Sequence, residues 1–480
     1  MGVQDNAPSK AKAQIWYNIP MRKTQHKSQK SAKNTSLKKP LRRQLFHLTS
    51  PIFFETLLLM LTGATDVFML SRFSDDAVAA SGVVNQLVFL VCLVYMITTL
   101  GTSVLCAQYL GAKQQKNVLQ VIGVSLLLNL VMGILVSAGL YGFAPQLLHV
   151  MGIDPNLMQH ALPYMKVVGG SSFLLALAMT LGAILRSHNK AYYPMWSALI
   201  INVLNVIGNY FLIFGHGGFA PLGITGAGIS TLLCRLVAVG ILYVILFRKV
   251  SQKPPLAYFQ PFPWDKVKNL LIIGLPAAGE NVSYDLSQVV ITYFTVLLGT
   301  AALTTRTYTM HIVMFSYVFA MAIGHGASIT IGHLIGRARN HAAFSLEKYS
   351  IRWALWVSVI ISLITALLGR QIFGFLSQNP DVIRMGVCVL WVDVLLEIGR
   401  AVNITAVNSL IASGDVFFPF ITGVLVMWGV ATLFAYILGV WLGWGLVGIW
   451  LAMTLDELIR AAIFERRWRS RKWENKSFTR

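Results

Sequence analysis

Charge is what this chain has least of. Only 12% of its 480 residues are Asp, Glu, Lys or Arg, about half the share of an ordinary soluble domain, while 56% are hydrophobic. Acids are scarcest, 18 against 39 basic residues, so the net charge is +21. The cysteines, Cys92, Cys106, Cys234 and Cys388, stand singly in apolar runs. That spacing excludes a disulfide framework and leaves them as small core residues. The ten histidines form no HExxH array, and no CxxC, GxSxG or Walker pattern occurs. GHGGF at 215–219 follows no strand and is not a phosphate cradle. Metal-dependent, acyl-transfer and nucleotide chemistry have no footing here, which disfavours a membrane enzyme or a receptor.

Long apolar runs are present instead. A helix rising 1.5 Å per residue needs about 20 residues to cross a hydrocarbon core about 30 Å thick. Twelve such runs centre near residues 57, 95, 129, 173, 203, 235, 284, 320, 362, 398, 429 and 455. The expected fold is therefore an all-α polytopic membrane protein with twelve transmembrane helices. Basic residues decide its orientation. They gather in the first 43 residues, in RKVSQK (248–253), in ERRWRSRKWENK near residue 470, and in the turns LGAKQQKN, RSHNK and GRARN. The alternate turns SRFSDD, PQLLHVMGIDPN, GHGGFAPLG and SQNPDV hold one Arg between them, with Arg306 and Arg370 as further exceptions. This asymmetry places both termini in the cytoplasm and the protein in the cell membrane. It also assigns the positive charge to lipid headgroups rather than nucleic acid, with the basic segment 465–480 expected to lie on anionic lipid. Residues 1–43 are polar, contain no signal-peptide pattern and read as a disordered cytoplasmic tail, in which Met21 is a second candidate start.

The chain repeats itself. At a constant offset of 225 residues Pro51 matches Pro276, Glu55 matches Glu280, Gly101 matches Gly326, Gly111 matches Gly336, Pro155 matches Pro380 and Pro194 matches Pro419. Towards the ends of the copies the offset slips to 222, where LGITGAG resembles WGLVGIW. Each copy holds six expected spans, an even number, so the two lobes, residues 44–247 and 269–464, share one orientation about an axis along the membrane normal. The Pro-rich segment 248–268 links them on the cytoplasmic side. Two such bundles enclose a cleft of the kind in which secondary transporters bind substrate near the midplane.

Ionisable groups inside the spans are the candidate functional residues, since a charge at the bilayer centre costs a few kcal/mol and needs a partner or water. Glu55 and Asp66 share one face of the first span, about 16 Å apart along its axis. The second copy has Glu280 and Asp285, with Ile291 where Asp66 would fall. In WVDVLLEIGRAVN, Asp393 and Glu397 lie one turn apart and Arg400 follows by three residues. That triplet reads equally as a cation site or as an internal ion pair. Asn202, Asn205 and Asn209 form a polar stripe whose amide oxygens suit either a hard cation or helix–helix hydrogen bonding. Arg235 and Glu457, at matching places in the repeat, read as charge balance.

These pieces resemble the multidrug and toxic compound extrusion (MATE) transporters. The resemblance rests on the Pro51–Asp66 helix followed by FMLSRFSDDAVAA, on QYLGAK, on NVLNVIGNYFLIFG and on APLGITGAGIST, in that order, and covers the chain beyond about residue 43. It implies a V-shaped pair of lobes exporting amphipathic, often cationic compounds against entry of H+ or Na+, without a cofactor and with a monomer as the working unit. It makes Asp66, fifteen residues after Pro51, the cation-coupling group, with Asn205, Asn209 and Thr231 as its neighbours. The departures are as informative. Asn209 stands where archaeal-type members have aspartate, Tyr284 where sodium-coupled members have glutamate, and Arg400 where they have the acid of helix ten. Glu280, Asp285 and Glu397 flank those places. A lipid-linked precursor flippase of the wider superfamily is the alternative the same lobes allow.

Overall fold

Short polar turns decide where the helices begin. The computed structural model describes residues 39–218 and 220–479. Met21 and most of the N-terminal tail expectation lie outside them. In the first copy α1 (Lys39–Ser71) is followed by α2 (Asp75–Gly111), α3 (Gln115–Gly142), the short α4 (Ala144–Val150), α5 (Pro155–Gly170), α6 (Ser172–Ser187), α7 (Tyr192–Phe214) and α8 (Gly223–Ile245). The second copy comprises α9 (Trp264–Leu297), α10 (Thr300–Gly336), α11 (Asn340–Leu367), α12 (Gly369–Leu376), α13 (Pro380–Ser413), α14 (Phe417–Val426) and α15 (Gly445–Arg469). The last turn of α8 widens to π geometry over Leu246–Val250, and α14 continues through π turns at Met427–Thr432 and Ala435–Trp441. No strand occurs among the described residues.

Caps repeat with the sequence. Asp154 accepts a hydrogen bond from the Asn156 backbone at 2.8 Å with Pro155 in the first turn of α5, and Asn379 does the same for Asp381 at 2.9 Å ahead of Pro380. Left-handed backbone recurs at matching places too: Lys113 with Ala338, Asn189 with Gly414, and, at the slipped offset, Gly223 with Gly445. The duplication is thus written in the fold of the turns as well as in residue identity.

Among the described residues eight helices are long and apolar enough to cross a membrane, or nine if α5 and α6, bent by 41° at their junction, make one span. The long helices α9, α13 and α15 are the remainder, and each carries several ionisable residues: Glu280 and Asp285, Asp393 with Glu397 and Arg400, and Asp456 with Glu457 and Arg460. Buried charge, not shortness, sets them apart.

The two copies meet backbone to backbone. α1 packs on α10, α2 on both α9 and α10. A side chain at Gly101 would strike the backbone of Leu270, and its counterpart Gly326 faces Leu45 and Thr49. Likewise Gly111 abuts the His333 carbonyl while Gly336 abuts that of Gln108. Each contact has its image 225 residues away. Only glycine permits such approach, which is why these positions lack a Cβ. All of these contacts lie toward the end that carries the basic turns 112–116, 186–190, 248–253 and 336–340. We call it the basic end.

Two expectations about the tails change. The first helix already begins at Lys39, with Leu45 and Leu48 fully buried, so residues 39–43 are helical. Lys, Arg, Gln and Leu are good helix formers and Leu41 and Leu45 anchor the turn in the core around Leu346 and Trp468. Nor do residues 470–479 lie free for lipid. Trp473 is 1% exposed and stacks on Trp468, so this segment packs on protein.

Candidate functional site

α1 carries two acids with different company. Glu55 accepts from the Arg186 guanidinium at 2.7 Å, an ion pair between α1 and the last turn of α6. Arg186 had been assigned to a basic turn; one more turn of helix brings it under Glu55. Eleven residues on, Asp66 has no such clamp. Its Oδ1 accepts from Asn209 Nδ2 at 2.6 Å, and the same amide reaches Asn205 Oδ1 at 3.3 Å. Asn205 and Asn209 are buried on one face of α7, which packs directly on α1. Asn202 takes the other role foreseen for the stripe, donating to the Leu58 carbonyl at 2.9 Å and so fastening α7 to α1. The Thr231 side chain makes no hydrogen bond among the described residues. Its neighbour Ser230 turns toward α7 instead and donates to the Asn205 carbonyl at 3.3 Å. Arg235, the cation nearest Asp66, donates to the Val168 carbonyl at 2.8 Å. It lends positive potential without pairing.

The chemical content of this arrangement is a half-buried carboxylate beside neutral amides. Asn209 Oδ1 is buried and has no hydrogen-bond partner, so an acceptor stands unused next to the acid. A proton on Asp66, or a cation resting on these oxygens, would satisfy it.

The second copy is built otherwise. Glu397 pairs with Arg400 on α13, and Arg460 on α15 is held by Asp456 and, at 2.9 Å, by Glu457. Asn403 ties the two helices, donating to Glu457 at 2.6 Å. Asp393 accepts from the Trp450 indole at 3.3 Å. Glu280 faces Arg460 from α9. Of these, Arg400, Asp456 and Glu457 line, with Tyr284, Ser287 and Gln288, a cavity of about 10 Å³, the scale of a single water. Asp285 is not part of the network. Five residues beyond Glu280, it points about 140° away from it round the helix. Sequence reading missed Asp456 and Arg460. The signal was present in DELIR, where charges at i, i+1 and i+4 interrupt an apolar run. Among the described residues no three His, Cys, Asp or Glu side chains are grouped to hold a metal ion.

Comparison with known proteins places this architecture. The MatE family model matches twice, over residues 51–211 and 276–437, starting at the two repeat prolines. The uncharacterized transporter YisQ of Bacillus subtilis is 39% identical over 92% of this chain and 98% of its own. A probable multidrug resistance protein NorM of Thermotoga maritima is 24% identical over 91% of this chain and 94% of its own. Among solved structures, a MATE in the bent conformation superposes with a TM-score of 0.84 at 19% identity, covering 90% of this chain and 95% of the other. The outward-facing conformation of a multidrug resistance MATE family transporter gives 0.83 at 19% identity, covering 91% and 97%. At that identity the structures speak for the fold. With two thirds of its length inside the family model and a relative matched along nearly its whole length, the chain belongs to the MatE family of membrane transporters and is not an enzyme.

Proposed function

We propose that the protein is a secondary active antiporter that exports amphipathic, cationic compounds in exchange for H+ or Na+. The observation that carries this reading is the contrast within α1: Glu55 is neutralised by an arginine, whereas Asp66 is held only by amides. A carboxylate so placed gains and loses a cation without breaking an ion pair. The NorM relatives, named for multidrug resistance, support the substrate class. Glu280, Asp393, Glu397 and Arg400 form the second ionic centre, which we assign mainly to holding α9, α13 and α15 together.

The architecture that goes with this is twelve spans in two lobes, residues 44–247 and 269–464, counting α9, α13 and α15 as spans whose charges point inward. The protein sits as a monomer in the cell membrane, with the basic end and both termini in the cytoplasm. Loading and release follow population shift: a proton or Na+ on Asp66 favours one facing state only by its difference in affinity between the two. The test is export of a fluorescent organic cation from liposomes carrying the purified protein, with pH and sodium gradients imposed separately. Acceleration by one inwardly directed gradient is expected. Equal rates with and without both gradients would refute coupling.

A further inference from the structure

Residues 470–479 run from the end of α15 across the basic end to the other copy. The segment opens on Arg471, whose backbone is left-handed at φ 56°, and returns along α15 with the Trp473 ring 4.1 Å from that of Trp468. Its middle is fixed to the second copy. Lys476 Nζ and Arg467 Nε each donate to Asp415 at 2.8 Å, and Asp415, in the turn between α13 and α14, is fully buried. Beside it, a side chain on Gly414, φ 93°, would collide with the Lys476 carbonyl. Its far end is fixed to the first copy. Gln108 of α2, 0% exposed, accepts from Ser477 Oγ at 3.1 Å and from the Phe478 backbone at 2.9 Å, while its own amide donates to the Ala412 carbonyl at 2.8 Å. Gln114 donates to the Thr479 carbonyl at 3.1 Å, and Phe478 packs in the apolar cluster around Tyr109, Val267 and Leu270.

We propose that this segment is a strap that holds the basic end shut, and that it must detach from Gln108 and Gln114 before the two copies separate there. Elsewhere along the seam the copies touch mainly through glycine backbones, with few directional bonds, chief among them that of His333 Nε2 with the Ser187 carbonyl at 2.7 Å. The strap and Gln108 supply such bonds across the seam, and Gln108 is also the residue whose carbonyl Gly336 abuts. Because the strap is anchored on both copies, its bonds count only in the closed arrangement. It therefore sets the population of the two facing states without touching transported compound or ion. The inference rests on the alternating-access reading above.

The experiment uses the full chain in lipid nanodiscs, cysteine-free apart from spin labels at the exposed positions Gln115 and Arg339 on opposite sides of the seam. The unsubstituted strap should give a single short distance. Gln108→Ala, Asp415→Asn and, on the strap itself, Phe478→Ala should each add a longer distance, at least a fivefold rise in the open population. In a separate, unlabelled protein the pair Gln114→Cys with Thr479→Cys, oxidised, should abolish export, and reduction should restore it. Unchanged distances in all three variants, each with a native melting transition, would overturn the strap, as would an oxidised pair exporting at the reduced rate. Should neither wild type nor the reduced pair export anything while the label distances respond as stated, the strap stands and the transport reading fails.

Discussion

Glu55 and Glu280 occupy the same place in two copies of one helix and have acquired different partners. The first meets Arg186 from α6; the second faces Arg460 from α15. The stripe opposite has diverged further. Asn202, Asn205 and Asn209 correspond to Met427, Val430 and Phe434, and Asp66 to Ile291, which is fully buried. Conversely, Leu175 and Ala238 stand where the second copy has Arg400 and Arg460. One copy has kept a lone acid among amides. The other has collected arginines against its acids, and Arg400, Asp456 and Glu457 border a water-sized space. On the function proposed above, the duplicated scaffold separates two tasks: a carboxylate free of arginine in one copy, and an arginine-paired cluster bracing helices in the other.

That contrast breaks most easily at Asp66. Asp66→Asn keeps the shape and removes the charge, so gradient-driven export should fall to the level of protein-free liposomes while the melting temperature stays put. Next comes Arg460→Gln, which leaves Asp456, Glu457 and Glu280 facing one another. Stripping one partner from a buried ionic group costs about 3–5 kcal/mol, read as a large drop in melting temperature. Asn209→Ala removes one hydrogen bond to a charged group, about 1.5–3 kcal/mol, so half-maximal activation should move at least tenfold, to lower proton concentration if the coupling ion is H+ and to higher sodium concentration if it is Na+. Glu55 and Arg186 are partly exposed, so a double-mutant cycle between Glu55→Gln and Arg186→Gln should return a coupling of only about 1 kcal/mol. Asp285→Asn should shift neither export nor melting beyond about 0.5 kcal/mol, since the side chain lies outside the network. A strong effect there would redraw the second centre.

Much of this was legible beforehand because membrane helices advertise themselves. Asp66 stood out as an acid in an apolar run, and the repeat offset located Gly101, Gly111 and their images before any contact was known. What the sequence withheld was pairing. Glu55 looked like Asp66 until Arg186, 131 residues away, proved to be its partner. Thr231 and Ser230 differ by one helical step, which no spacing argument resolves. Residues 465–480 read as a basic tail by composition, yet their fate was decided by Asp415 and a stacking tryptophan. Charge counts give an average destination, and a single buried acid overrides it.

The reciprocal glycine contacts have a consequence for how such a molecule arises. A face on which Leu45 meets Gly326 while Leu270 meets Gly101 is the pattern of an isologous dimer, in which one patch greets itself across a twofold axis. Each half still wears the surface of a homodimer subunit. Fusion of two identical chains needed to invent no interface; it had only to supply the connecting peptide.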